Sequence, residues 1–159
     1  MTDTNMQKEL NDKMFRTLLD DRLSSKMKAN VIENCIDKGA DINARSEDGA
    51  YTVLMLASYY GHKEVMETLI NKGADINARS YDGKTALIMG AYGAAGKDGV
   101  EMLIKQGADL GAKSDEGRTA EDWARDWRRE EVAEVLKRHA ESKKNKGVMN
   151  KFIDPREGR

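Results

Sequence analysis

From Ser46 onward the apolar positions fall into paired clusters that recur along the chain. Leu54, Leu56 and Ala57 precede Val65, Met66, Leu69 and Ile70; Leu87, Met89 and Ala91 precede Val100, Leu103 and Ile104; Trp123 and Ala124 precede Val132, Val135 and Leu136. The second cluster of each pair has the i, i+3, i+4 spacing of one helix face. The first is short and ends in small residues such as Gly90, which predicts a short helix. Each pair follows a turn, as at Asp82-Gly83, and a threonine (Thr52, Thr85, Thr119) whose hydroxyl is placed to accept an N–H bond at a helix start. Gly39, Gly73 and Gly107 follow the second helices, where a residue without Cβ takes the left-handed conformation that ends a helix. Upstream, Val31, Ile32, Cys35 and Ile36 match a second helix. Met6, Leu10, Met14, Leu18 and Leu19 form an amphipathic stripe from residue 5 to about 22, predicting an N-terminal capping helix pair.

The segments between pairs repeat almost word for word: Lys38-Gly-Ala-Asp-Ile-Asn-Ala-Arg-Ser46, Lys72-Gly-Ala-Asp-Ile-Asn-Ala-Arg-Ser80 and Gln106-Gly-Ala-Asp-Leu-Gly-Ala-Lys-Ser114. The step from Gly39 to Gly73 to Gly107 is 34 residues each time, a period that means stacked supersecondary units. Turn, short helix, link, second helix and Gly-Ala-Asp-Ile-Asn-Ala together resemble the ankyrin repeat, over residues 31–138. The resemblance implies an all-α solenoid of helix-turn-helix units joined by projecting β-turn loops. It divides the chain into a single domain over 1–140, with a capping repeat at 5–45, repeats at 46–79 and 80–113 and a C-terminal capping repeat at 114–140, followed by a basic tail at 141–159, frayed or folded back.

The chain departs from that family's pattern in two respects. Thr52-Val-Leu-Met55, Thr85-Ala-Leu-Ile88 and Thr119-Ala-Glu-Asp122 stand where the family has Thr-Pro-Leu-His, so the preorganised helix start and the loop-tying histidine are both absent. Two units also run one residue over the usual 33. Ala50-Tyr51 stands where the next unit has only Lys84, which lengthens a turn, and Ala91 to Gly99 stretches a link. Ala94-Ala95-Gly96 is the expected soft point of the stack.

Composition narrows the picture. Charged residues make up 35% of the chain and aromatics 6%, as suits a helical array with much solvated surface. Residues 31–136 carry 13 Lys/Arg against 20 Asp/Glu, a balance of −7, whereas residues 137–159 carry 8 against 3, a balance of +5. The basic tail, with Lys137, Arg138, Lys143, Lys144, Lys146 and Lys151, is the alternative binding element, for an anionic ligand or nucleic acid; a solubilising end cap is the plainer reading. Val148, Met149, Phe152 and Ile153 are available to fold back over the last repeat. Residues 1–10 have no apolar run, so no secretory signal is expected, and no stretch approaches a membrane span of about 18 apolar residues. A lone Cys35 suits a reducing compartment. A monomeric cytoplasmic protein is the expectation.

Chemistry finds little to work with. The two histidines, His62 and His139, lie on different repeats, and His62 sits in a link where packing accounts for it. Cys35 aligns with Leu69 and Leu103 as a small buried hydrophobe. No zinc or other metal site and no cofactor is expected. Gly90-Ala-Tyr-Gly-Ala-Ala-Gly-Lys97 fails as a phosphate loop, since Ala91 and Asp98 replace its required Gly and Ser/Thr. Glu130, Glu131 and Glu134 fit a solvated helix face. A non-catalytic protein is expected.

The resemblance also marks a surface. In the ankyrin family partners bind the concave face built from the turns and first helices. Carried over, this implies Arg45, Glu47, Asp48, Ala50 and Tyr51 with Tyr59 and Tyr60; Arg79, Tyr81, Asp82 and Lys84 with Tyr92; and Lys113, Asp115, Glu116 and Arg118 with Asp126 and Trp127. All five tyrosines and one of two tryptophans fall on that surface, and none on the second-helix stripe. Tyr, Trp and Arg are the residue types enriched at binding hot spots, so a protein partner is expected there.

Overall fold

A computed structural model describes the backbone of residues 3–152 and the side chains of residues 4–147. Within that range the chain forms eight helices: α1 (Asp3–Leu18), α2 (Ser25–Asp37), α3 (Val53–Tyr60), α4 (Lys63–Asn71), α5 (Ala86–Tyr92), α6 (Gly96–Lys105), α7 (Ala120–Asp126) and α8 (Glu130–Phe152). No strand occurs among the described residues, where the one bridge pairs Arg45 with Thr52. The all-α repeat fold expected from the sequence is the fold observed.

The local chemistry accounts for the helix ends. Thr52, Thr85 and Thr119 cap α3, α5 and α7, each hydroxyl accepting the backbone N–H three residues on. Asp122 reaches back to the Thr119 N–H at 2.8 Å, closing a reciprocal cap on α7. The second helices end at glycines with φ of 100° (Gly39), 92° (Gly73) and 95° (Gly107). The following alanine N–H then bonds five residues back, Ala40 to Cys35, Ala74 to Leu69 and Ala108 to Leu103, each at 2.9 Å.

The units stack in two layers. α1, α3, α5 and α7 form the inner layer and pack in sequence; α2 packs on α4, and α6 on α8, in the outer layer. Between the layers lie Met14, Leu18, Ile32, Leu54, Met66, Leu69, Leu87, Leu103 and Leu136, all at 2% exposure or less. Cys35 is buried among them as expected. Burial of this apolar surface is the main stabilising term, and each unit completes its core only against a neighbour.

Two polar ladders hold the 34-residue register. The Asn43 side chain accepts from the Asp75 N–H, and Asn77 from the Asp109 N–H, both at 2.8 Å; at the N-terminal end Asn11 of α1 does this for Asp41. Arg45 donates to the Arg79 carbonyl and Arg79 to the Lys113 carbonyl, at 2.9 and 2.8 Å. In the third segment Gly111 and Lys113 occupy the Asn and Arg positions, and α8 runs on past the place where a fourth such segment would begin.

The expected stripe on α1 holds only in part. Met14 and Leu18 are fully buried, but Met6 is 48% exposed, and Leu19, which lies past the end of α1 at Leu18 where the stripe was expected to run to about residue 22, is 52% exposed. α8 runs through residue 140, where the sequence places a unit boundary, and on to Phe152. Side chains 148–152 and all of 153–159, including the fold-back residues named above, lie outside the described residues.

Candidate functional site: an aromatic strip on the inner helices

Three of the four inner helices end with a ring. Tyr59 and Tyr60 close α3, Tyr92 closes α5, and Trp127 caps α7. Stacking the helices lines the rings up. Centroids lie 5.1 Å apart for Tyr60 and Tyr59, 5.6 Å for Tyr59 and Tyr92, and 5.8 Å for Tyr92 and Trp127. Tilted and edge arrangements at these separations are favourable aromatic geometries. Tyr92, half-buried at the centre, has its hydroxyl pushed up to about 12, by burial first and then by Tyr51, Asp82 and Tyr59 nearby.

Trp123 belongs to the strip and was not among the residues expected on it. Its ring lies 5.1 Å from Tyr92, and its indole N–H donates to the Ser114 hydroxyl at 3.3 Å. The signal was present in the spacing, since Trp123 and Trp127 are i, i+4 on one helix face. Lys84 and Arg118 cover the Trp123 ring at 4.8 and 5.4 Å.

The strip leaves apolar area open. Tyr59 is 37% exposed, Tyr60 45%, Trp127 58% and Tyr81 73%. Tyr51 is half-buried against the core. Tyr81 stands apart on its turn, its hydroxyl resting over Gly49 of the preceding turn.

Most of the charged residues expected to rim this face already have partners within the chain. Asp82 pairs with Lys84 and accepts from the Ser80 hydroxyl. Asp48 accepts from the Ser46 hydroxyl and the Ala50 N–H, which hold its carboxyl below the usual range. Arg118 bonds Asp126 at 2.7 Å and lies 3.6 Å from Glu116. Arg79 is 4.0 Å from Asp115, while Arg45 and Arg79 are the ladder donors described above. Glu47 and Lys113 are exposed.

Reactive groups elsewhere do not converge. Among the described residues no three of His, Cys, Asp and Glu are grouped to hold a metal ion. Burial raises the Cys35 thiol pKa, which keeps it protonated and unreactive. His62 lies 2.9 Å from the Nζ of Lys28, a lysine only 2% exposed whose Nζ also donates to the Leu18 carbonyl at 2.7 Å. Burial first and Lys28 second lower the His62 pKa, so its ring accepts from Lys28 as a neutral base. That contact ties the N-terminal unit to the α3–α4 link, which is the structural role expected of His62. At the other end, His139, Ser142, Lys143 and Lys146 of α8 wall a cleft of about 540 Å³ over Asn77 and Leu110, with the Asp109 carboxylate in its lining. No helix among the described residues is long and apolar enough to cross a membrane.

The family description "Ankyrin repeats (3 copies)" matches residues 23–114, more than half of the chain. No curated protein matches it.

Proposed function

Since the chain belongs to the ankyrin repeat family, whose repeats generally mediate protein–protein interaction and carry no catalysis, we propose that it is a non-catalytic recognition protein. It grips a protein partner through the strip Tyr60–Tyr59–Tyr92–Trp127, with Trp123 and Tyr81 beside it. The observation that carries this reading is the continuity of the rings across three units while Tyr59, Tyr60 and Trp127 stay more than a third exposed. Inward packing accounts for Tyr51 and Tyr92 but not for Tyr59, Tyr60, Tyr81 and Trp127. Aromatic side chains of this kind dominate interface energetics.

The test replaces Tyr59, Tyr81 and Tyr92 with Ala together and compares the variant with the parent chain in affinity capture from the native source. Far-ultraviolet circular dichroism checks that helicity is kept. Loss of the captured partner with helicity intact is the expected result; undiminished capture places the site elsewhere. The alternative, an anionic ligand or nucleic acid held by the basic part of α8, rests on Lys143 and Lys146, whose cleft Asp109 shares.

A further inference from the structure

We propose that the partner segment bound by the aromatic strip is acidic, and that Arg128 and Arg129 hold its carboxylates at the Trp127 end. This rests on the reading of the strip as the binding face and adds the charge of what is bound there. The juxtaposition behind it is an exposed tryptophan followed directly by two exposed arginines that have no partner among the described residues.

Elsewhere in the chain arginine is committed. Among the described residues Arg22, Arg118, Arg125 and Arg138 face a carboxylate, and Arg16, Arg45 and Arg79 bond a backbone carbonyl. Arg128 and Arg129 have neither, and both are exposed. The acids that follow them, Glu130 and Glu131, stand in the first turn of α8, where free N–H groups and the helix dipole favour negative charge. The strip's other unused polar groups can also donate. Among the described residues the hydroxyls of Tyr59 and Tyr60 and the Trp127 indole N–H have no acceptor and stand on exposed rings. Along the rim, exposed Glu47 and Lys113 are opposite in sign and lie on different turns, so they give the face no net charge.

The backbone at Arg128 is a second, independent sign. Counted from the capping Thr52 and Thr119, Tyr60-Gly61-His62 and Trp127-Arg128-Arg129 occupy the same places. Both helices end alike. The His62 N–H donates to the Ala57 carbonyl at 2.9 Å and the Arg129 N–H to the Ala124 carbonyl at 2.8 Å. The residue before each donor is left-handed, with φ of 74° at Gly61 and 52° at Arg128. Glycine takes this conformation freely, whereas a residue with a Cβ is strained in it. Among the described residues Arg128 is the one non-glycine with positive φ. A guanidinium held where glycine would fold better, and bonded to nothing inside the chain, is accounted for by a group outside it. Its planar fork matches a carboxylate with two parallel N–H bonds, and Trp and Arg are the residue types of binding hot spots. A long polyanion fits less well, because the balance of −7 over residues 31–136 repels charge spread along the stack. A short acidic segment meets the arginine pair alone.

The probe is acetyl-Phe-Glu-Glu-Leu-Glu-Glu-amide titrated into the full chain at neutral pH, with the Trp127 indole N–H resonance as readout. Saturable binding that moves this resonance is expected, weakening about fivefold as salt rises from about 50 to 500 mM. Replacing Arg128→Gln and Arg129→Gln together is expected to weaken it about tenfold, the loss of charge-assisted bonds. The remaining salt effect should be under about twofold. Arg128→Gly is expected to raise Tm by about 2 °C as the strain is relieved, yet to weaken peptide binding about threefold. A purely structural arginine would not give opposite signs. The proposal is overturned by the absence of a Trp127 shift at millimolar peptide, or by equal binding of acetyl-Phe-Gln-Gln-Leu-Gln-Gln-amide. Undiminished binding by the double arginine variant overturns it too, as does tighter binding of a ten-nucleotide thymidine oligomer. Capture of the natural partner separates this from the reading beneath it. Capture lost in the triple tyrosine variant but kept in the double arginine variant leaves the strip as the site and removes its acidic occupant. Capture that survives the triple variant removes the strip itself.

Discussion

The junction between repeats 46–79 and 80–113 and the junction between 80–113 and 114–140 are built from nearly the same sequence yet hold together differently. In the second, the turns are joined directly, the Asp115 N–H donating to the Asp82 carbonyl at 2.9 Å, and α6 packs on α8 with Arg138 3.8 Å from Glu101. In the first, both rims are open. The longer turn, closed from Ser46 to Tyr51 where its neighbour closes from Ser80 to Lys84, sets the Tyr81 ring over Gly49 in place of a backbone bond. On the outer side α4 and α6 make almost no backbone contact and enclose a groove of about 330 Å³. The middle compensates, for α3 and α5 pack more closely than any other helix pair. The Ala94 N–H donates to the Tyr59 carbonyl at 2.7 Å. The lesson is that single-residue insertions at the rims move cohesion to the centre, where the aromatic strip lies.

The largest expected effect comes from attacking that centre. A Cβ on Gly93 would lie 2.5 Å from the Tyr59 carbonyl oxygen and 2.7 Å from that of Met89, both backbone atoms that cannot step aside. Gly93→Ala is therefore expected to cost about 3 kcal/mol, by forcing the helices apart. Gly96→Ala, three residues on, has no neighbour within 4 Å and only its φ of 63° against it. It is expected to cost about 1 kcal/mol. Urea denaturation of the two variants measures the difference. Equal losses would show that the close approach at Gly93 does not hold the junction.

A third junction, between the N-terminal unit and repeat 46–79, depends on a titrating contact that neither of the others has. The His62 pKa is lowered from its ordinary 6.5, so the folded state prefers the neutral ring. The stability it contributes is present above pH 6.5 and is lost as pH falls below 6.5 and through the lowered value. Protonation puts a second positive charge 2.9 Å from Lys28, with Asp21 and Glu64 offsetting it in part. Solvent screening reduces the loss. It should be read first as faster amide exchange in α1 and α2, with the junction at Tyr92 and Trp123 unaffected. His62→Gln, which keeps an acceptor for Lys28, is expected to abolish the acid step. A step that persists in this variant would place the titrating group elsewhere.

Much of this was legible in the chain. The 34-residue echo, the capping threonines and the terminating glycines mark the helices of the repeats, since each is a local backbone requirement. The tyrosines were placed on the inner face by the register together with the family resemblance. Three things escaped. Trp123 read as core because its helix position matches the buried Met89; only the stacked rings reveal that it also lines the strip. The bonds from Arg45 to the Arg79 carbonyl and from Arg79 to the Lys113 carbonyl are a matter of side-chain reach across 34-residue neighbours, which no local pattern encodes. The segment Ala94-Ala95-Gly96, expected to be soft from its composition, is fastened at Ala94 to the Tyr59 carbonyl by a backbone bond that depends on how two units meet. Gly93 and Ala94 are suited to that close approach for the same reason that they look weak in sequence: they have little or no side chain.

The smallest expected effect would erase the difference between the two turn junctions. Deleting Ala50 gives the first turn the length of the second, so that the Tyr81 N–H can meet the Asp48 carbonyl as the Asp115 N–H meets that of Asp82. One backbone bond is gained, worth about 1 kcal/mol. Against it, Arg45 loses its 3.3 Å contact to the Ala50 carbonyl, and Ala50, 8% exposed, gives up its small buried area. The balance is expected to be a gain of about 0.5 kcal/mol, read as a rise in Tm of about 1–2 °C. The Tyr81 amide should gain exchange protection. A fall in Tm without that protection would mean that the longer turn is the better fit to its neighbour, with Tyr81 packed on Gly49 serving the first junction as well as a backbone bond serves the second.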